Sequence, residues 1–177
     1  VLDEGERIQN REAQIGGKLG FWSAITLMLF NAGGFFGMYL FARVTTFMGR
    51  RPTFAMAFLA AFVSTTVAFL WMSTPRDLFW MVPMMGAFQL SLFGGYAIYF
   101  PELFPTRLRS TGTSFCYNIG RYVAALGPFG LGWLTKNVFA SQAEPMRYAG
   151  VAMCSCFLVG LVVLLFAPET KGQPLPE

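Results

Sequence analysis

Five long apolar segments, separated by short charged breaks, constrain this chain more than any other feature. Each segment approaches or exceeds the roughly 20 residues that a helix needs to cross a hydrocarbon core about 30 Å thick. Charged residues make up only 12% of the chain, against roughly 25% in a soluble domain. Nearly all of them lie in the breaks or near the termini, as the bilayer requires. The predicted spans cover residues 21–47, 54–72, 78–100, 111–134 and 148–167.

The apolar runs are continuous and do not alternate with polar residues, which favours helices over membrane β-strands. We therefore predict an all-α membrane protein with a helical bundle over residues 21–167 and a polar tail over 168–177. Residues 1–20 carry four acids and three bases, and they are predicted to form a polar loop. We interpret this loop as one that follows an upstream helix, so we expect the chain to be the later part of a larger protein.

Several kinds of chemistry are disfavoured by composition. The chain has no His, three Cys in apolar surroundings, and no paired carboxylates inside the predicted spans. It also lacks a Gly-rich phosphate loop ending in Lys. We therefore expect no enzyme activity, no catalytic residues, no metal site, no cofactor and no nucleic-acid partner.

Three of the breaks contain charged sequence motifs. The first contains Gly49-Arg50-Arg51, the second runs PELFPTRLRSTG over residues 101–112, and the third runs PETKG over 168–172. Helix ends joined by short turns lie close together, so we predict that these charges form a network that acts as a latch. The alternative is a set of solvated loops, in which each exposed pair contributes only about 0–1 kcal/mol. The predicted network comprises Arg50, Arg51, Glu102, Arg107, Arg109 and Glu169.

These three motifs, in this order and spacing, resemble the C-terminal half of major facilitator superfamily transporters, especially sugar porters and metabolite–proton symporters. The resemblance implies that the five segments are spans 8–12 of a twelve-helix fold that works by alternating access. It further implies an absent part with spans 1–7, a small-molecule substrate and a coupling proton or cation. Thr46 and Phe47 stand where the family's loop motif usually has an acid and a base.

Basic residues near the span ends suggest an orientation. Without the N-terminal segment, six Lys or Arg side chains flank one side and three flank the other, whereas including that segment gives six on each side. The six-to-three count predicts that the GRR loop, the PELFPTRLRS loop and the C-terminus are cytoplasmic, in a multi-pass protein of the cell (inner) membrane.

Four polar residues inside the predicted spans are candidates for substrate binding, because polar groups in hydrocarbon are costly. They are expected to face a common cavity while the second and fifth spans face lipid. Helix–helix hydrogen bonding is the alternative for the three amides, and a structural ion pair or snorkelling is the alternative for the arginine. The four are Asn31, Gln89, Asn118 and Arg121.

Gly33 and Gly37 form a G-x-x-x-G pair, and we expect this pair to let the backbone of another helix approach closely.

For function, we expect the C-terminal part of a secondary active transporter for a small polar metabolite. Sugar porter motifs favour a sugar, whereas Arg121 favours an organic acid. A truncated, membrane-embedded remnant or scaffold without transport activity is the alternative.

Overall fold

The computed structural model describes residues 4–174 and 176, with side chains described from Arg11 onward. This part of the chain is helical and contains no strand. A π-helical turn, Leu134–Val138, follows the fifth helix. The seven α-helices are α1 Glu4–Met48, α2 Arg50–Trp71, α3 Pro75–Leu103, α4 Arg109–Ala125, α5 Gly127–Trp133, α6 Pro145–Met153 and α7 Ser155–Leu164.

Four stretches are long and apolar enough to cross a membrane, so the chain is a multi-pass integral membrane protein. They are Arg11–Met48, Arg50–Trp71, Pro75–Leu103 and Pro145–Leu164, the last combining α6 and α7. Each overlaps one of the predicted spans. α3 begins with a capping box, in which the Asp77 carboxylate accepts the backbone N–H groups of Ser73 and Thr74.

The N-terminal segment differs from the prediction. Residues 1–3 lie outside the described part, but the predicted loop over 1–20 is helical from Glu4 onward. The segment contains three Glu, two Gln and two Arg, which are good helix formers. A helix that extends from an existing span also needs no new nucleus. The 38 residues of Arg11–Met48 span about 57 Å. The polar first part therefore extends beyond a hydrocarbon core of about 30 Å.

The fourth predicted span, 111–134, is not one continuous helix. α4 ends at Ala125 and α5 begins at Gly127, although Leu126 keeps helical dihedral angles (φ −76°, ψ −15°). Pro128 has no backbone N–H and cannot donate to the carbonyl of Ala124, so the hydrogen-bond ladder is interrupted here. The predicted fourth span is therefore divided into α4, α5 and the π-helical turn that follows.

α1 and α3 pack with their backbones in direct contact, which confirms the packing role expected for the G-x-x-x-G pair. A Cβ atom on Gly33 would lie 1.9 Å from the carbonyl oxygen of Pro83, and one on Gly37 would lie 1.9 Å from that of Ala87. Gly86 on α3 makes the reciprocal approach, because its Cβ would lie 2.0 Å from the carbonyl oxygen of Phe30. Small residues on both helices thus set the α1–α3 distance.

The buried core is aromatic and lies near one end of the bundle. Phe54 is 2% exposed, and its ring centroid lies 5.0 Å from that of Phe41, 5.4 Å from Tyr96 and 5.6 Å from Tyr99. α2 buries this face against α1 and α3. One face of α2 and one face of the last segment stay exposed and are apolar. That these faces meet lipid stays a prediction.

Candidate functional site

The end of the bundle at which α2 begins and α3 ends carries an ion pair. Arg50 is the first residue of α2, and its guanidinium reaches Glu102 in the last turn of α3. Nε donates to Oε2 at 3.0 Å and Nη2 donates to Oε1 at 2.5 Å, which is a two-point contact. The two side chains are 17% and 18% exposed, so solvent screens this pair less than a surface pair. We name this region the charged end and define it by Arg50, Glu102 and Glu169.

Glu169, from the PETKG motif, caps the N-terminus of α2. Its Oε1 atom accepts the backbone N–H of Arg50 at 2.8 Å, and its Oε2 atom accepts that of Arg51 at 3.0 Å. The N–H of Lys171 also donates to Oε1, at 3.0 Å. A carboxylate at a helix N-terminus satisfies free N–H groups and complements the helix dipole. The C-terminal segment is thereby fastened to the second helix.

These contacts shift the acidity of Glu169. Partial burial by itself raises the pKa of this carboxyl group. The backbone N–H groups of Arg50, Lys171 and Arg51 stabilise the ionised form and outweigh burial, so the pKa of Glu169 lies below its ordinary value. Glu169 is therefore a carboxylate at neutral pH.

Gly49 makes the close approach of Glu169 possible. Its φ of 98° lies in the region that side chains disfavour, and it directly precedes α2. A Cβ atom at this position would lie 3.0 Å from the Oε2 atom of Glu169. A larger residue would both strain the backbone and crowd the capping carboxylate.

The C-terminal tail lies across the charged end. The Thr170 hydroxyl donates to the Oε2 atom of Glu102 at 2.5 Å, and the Tyr99 hydroxyl donates to the carbonyl of Pro168 at 2.7 Å. The ammonium of Lys171 donates to the carbonyl of Phe47, the penultimate residue of α1, at 2.6 Å. The tail thus links the ends of α1, α2 and α3.

The structure brings together four of the six predicted network residues. The side chains of Arg50 and Glu102 pair with each other, and the carboxylate of Glu169 accepts the backbone N–H groups of both Arg50 and Arg51. Arg107 and Arg109 make no ion pair among the described residues, and Arg109 donates to the hydroxyl of Thr106 at 3.3 Å. Thr170, Lys171 and Tyr99 were missed, although the first two belong to the PETKG motif itself.

The four intramembrane polar residues do not converge on one cavity. Gln89 donates to the hydroxyl of Thr65 on α2 at 2.7 Å, so it links two helices. Asn31 and Asn118 lie on exposed faces, where each donates to a carbonyl of its own helix four residues earlier. The prediction of a shared cavity is wrong for Gln89, because Thr65 supplies a nearer polar partner. Arg121 lies on the wall of a cavity that the other three residues do not line.

That cavity, of about 500 Å³, opens between α2, α3, α4 and α7. Its walls are mainly aromatic and aliphatic, with rings contributed by Phe58, Tyr96 and Phe100 among others. Arg121 and Tyr117, one helical turn apart on α4, supply polar groups. Arg121 is exposed, and among the described residues no carboxylate lies within 4 Å of its guanidinium. An apolar cavity with a free guanidinium suits a small organic anion.

The opposite end of α2 is also held by the last helical segment. Arg147 on α6 donates to the carbonyl of Leu70 at 3.2 Å and to that of Met72 at 3.1 Å, and it pairs with Glu144 at 2.9 Å. A cation at a helix C-terminus complements the dipole. α2 is therefore capped by an acid at its start and by a base at its end.

Comparison with known proteins connects this geometry to transport. Residues 78–177 match the family described as "Sugar (and other) transporter". The chain is 34% identical over 84% of its length to solute carrier family 22 member 11 of Homo sapiens. It is 27% identical over 89% to a Haemophilus influenzae protein proposed to transport metabolites. It is 29% identical over 72% to the cis,cis-muconate transport protein of Acinetobacter baylyi.

The chain spans only part of these relatives. It covers 36% of the Haemophilus protein, 29% of the Acinetobacter protein and 26% of the human protein.

Proposed function

Because the chain belongs to the sugar (and other) transporter family of the major facilitator superfamily, we propose that it forms spans 8–12 of a twelve-span secondary active transporter for a small organic acid. Spans 1–7 correspond to the part of the relatives' sequences that this chain does not cover. The transporter works by alternating access, with a coupling proton or cation carried by that other part. The transporter lies in the cell (inner) membrane. Its charged end faces the cytoplasm, as the distribution of Lys and Arg favours.

The observation that carries the substrate class is the free guanidinium of Arg121 on the wall of an apolar cavity. Arg121 is exposed in this chain, and covering its guanidinium with the remaining spans would be costly without a partner, so we expect an anion to meet it when the transporter is assembled. A carboxylate fits its planar donor fork through two parallel hydrogen bonds. A neutral sugar has no charge to offset, which places the organic acid ahead of the sugar.

One relative's name agrees with this choice. The Acinetobacter baylyi relative is named for cis,cis-muconate, which is a dicarboxylate. The aromatic rings around Arg121 add a second criterion, because a substrate with a flat unsaturated body can stack on them. We therefore place unsaturated carboxylates first among the candidate substrates.

The charged end supports the alternating-access part of the proposal. Its ion pair and its helix cap join segments that are far apart in sequence, at a position where rearrangement would open or close one side of the bundle. We propose that these contacts hold together in one state of the cycle and loosen in the other.

The test is uptake into proteoliposomes that contain the full-length polypeptide carrying this chain. Radiolabelled cis,cis-muconate is compared with radiolabelled glucose, with and without an inward proton gradient. Saturable uptake of muconate that exceeds uptake of glucose supports the proposal. Saturable glucose uptake that excess muconate does not inhibit would make the protein a sugar carrier instead.

A further inference from the structure

A second cavity lies on the outside of the bundle, between α2 and α7 near the charged end. It has a volume of about 700 Å³, and its walls include Pro52 and Ala55 from α2 and Leu161, Val162 and Leu165 from the last segment. Arg51 and Glu169 complete the lining. We name it the α2–α7 groove. It is separate from the cavity that contains Arg121 and has no part in the proposed substrate path.

Exposed apolar side chains lie on both sides of this groove. Met56 and Leu59 of α2 are 43% and 52% exposed, while Leu165 and Phe166 after α7 are 70% and 85% exposed. An apolar surface of this kind on a membrane-spanning bundle meets hydrocarbon, because water against it would be unfavourable. An acyl chain is therefore the natural material to fill the groove.

Arg51 gives one end of the groove a charge. Of the donors on its guanidinium, Nη2 is bonded to the carbonyl of Leu165 at 3.2 Å. Among the described residues no carboxylate lies within 4 Å of this guanidinium. Arg51 is the second residue of α2, a spanning helix, so it lies at the level of the membrane interface. A planar guanidinium at that depth matches the phosphate of a lipid headgroup.

The carboxylate of Glu169 at the same end does not cancel this attraction. It accepts three backbone N–H groups and lies at the positive end of α2, so its charge is already offset. Glu102 is engaged by Arg50. Together with Arg51 and Lys171, the three residues of the charged end carry three positive and two negative charges, which leaves one net positive charge in this region.

We propose that the α2–α7 groove binds an anionic phospholipid from the adjacent membrane leaflet, with an acyl chain along Ala55 and Val162 and the headgroup phosphate on Arg51. The lipid covers the seam between α2 and the last segment, next to the contacts that Glu169 makes with the start of α2. Its binding therefore favours the state in which the last segment is fastened to α2.

The proposal is tested by native mass spectrometry of the full-length polypeptide released from detergent, titrated with phosphatidylglycerol or phosphatidylcholine of identical acyl chains. We expect phosphatidylglycerol to bind about fivefold more tightly, which is the effect of roughly one basic residue at the membrane surface. Arg51→Gln should remove this preference, and Arg51→Lys should keep part of it. Arg76→Gln, which changes an exposed arginine at the opposite end, is the matched control and should change nothing.

A second variant tests the groove itself. Ala55→Trp fills it without changing charge, and it should weaken phosphatidylglycerol binding while far-ultraviolet circular dichroism stays that of a helical protein. Equal affinity for the two lipids, or a preference that survives Arg51→Gln, would overturn the proposal. Dimers that Ala55→Trp abolishes would also overturn it, since the groove would then be an interface between two copies of the chain.

Discussion

Arg50 and Glu102 are 52 positions apart in sequence, yet they form a two-point ion pair that joins the first residue of α2 to the last turn of α3. The pair is largely shielded from solvent, and the hydroxyl of Thr170 donates to the same carboxylate. The position of the C-terminal tail therefore also depends on the charge state of Glu102.

Glu102→Gln should destabilise the bundle, because it leaves the guanidinium of Arg50 partly buried without its counter-ion. We expect a loss of about 1.5–3 kcal/mol, the range for hydrogen bonds to charged groups. The measurement is unfolding in detergent, with Arg50→Gln and the double variant completing a cycle. Glu144→Gln, which breaks the more exposed pair with Arg147, is the control and should lose less than about 1 kcal/mol. Equal losses at the two sites would contradict the account.

Gly49→Ala should destabilise the cap on α2 through two effects, a strained backbone and a crowded Glu169. With φ 98° and ψ 173°, Gly49 adopts a conformation that is essentially restricted to Gly, so the backbone effect alone is worth about 1–3 kcal/mol. Gly172 also has a positive φ, 73°, but a Cβ there would meet nothing within 4 Å. Gly172→Ala therefore measures the backbone strain alone, and we expect the unfolding midpoint to fall further for Gly49→Ala. A larger fall for Gly172→Ala would show that Glu169 does not need the space.

Gly37→Ala should push α1 away from α3, because the added methyl group would meet the backbone of Ala87 and not a flexible side chain. Overpacking of this kind costs about 1–3 kcal/mol. Gly16→Ala lies on the same helix where nothing is within 4 Å, and it should stabilise the helix by up to about 1 kcal/mol. Thermal unfolding of the two variants in detergent would show opposite shifts. Shifts of the same sign would argue against backbone contact at Gly37.

We expect the stability of the folded chain to depend on pH through Glu169. Its pKa is lowered in the folded state, so the stability it contributes is fully present above its ordinary pKa of 4.5 and is lost as the pH falls through the lower folded value. The difference in unfolding midpoint between the wild type and Glu169→Gln should stay constant from neutral pH down to about 5 and shrink below 4.5. A difference that shrank on raising the pH would mean that the folded pKa is raised.

Hydrophobic patterning was sufficient to predict four of the spans, because long apolar runs bounded by charges have few alternatives in a bilayer. The GRR, PELFPTRLRSTG and PETKG motifs likewise predicted that Arg50, Glu102 and Glu169 would meet. The break at Leu126 was harder to predict, since a single Pro128 within an apolar run is compatible with a continuous, kinked helix.

Side-chain partners account for the errors at the candidate site. Gln89 was predicted to face a common cavity because polar groups in hydrocarbon are costly. That cost does not determine the direction in which a side chain points. Thr65 on the neighbouring α2 offered a hydroxyl at bonding distance. The helical N-terminal segment was misjudged for a related reason, because its polarity was taken as evidence for a loop although its residues favour helix.

The central claim is that Arg121 binds the carboxylate of the substrate, and the most direct test is substrate affinity in the full-length polypeptide. Equilibrium binding of cis,cis-muconate is measured for the wild type, Arg121→Gln and Arg121→Lys, with Arg43→Gln as the control because that arginine is already bonded to Tyr39 on α1. The account predicts that Arg121→Gln weakens binding about 10- to 100-fold, as expected for losing hydrogen bonds to a charged group. It also predicts that Arg121→Lys retains part of the affinity and Arg43→Gln retains all of it. Unchanged affinity in both Arg121 variants would contradict the claim and leave Arg121 with a structural role.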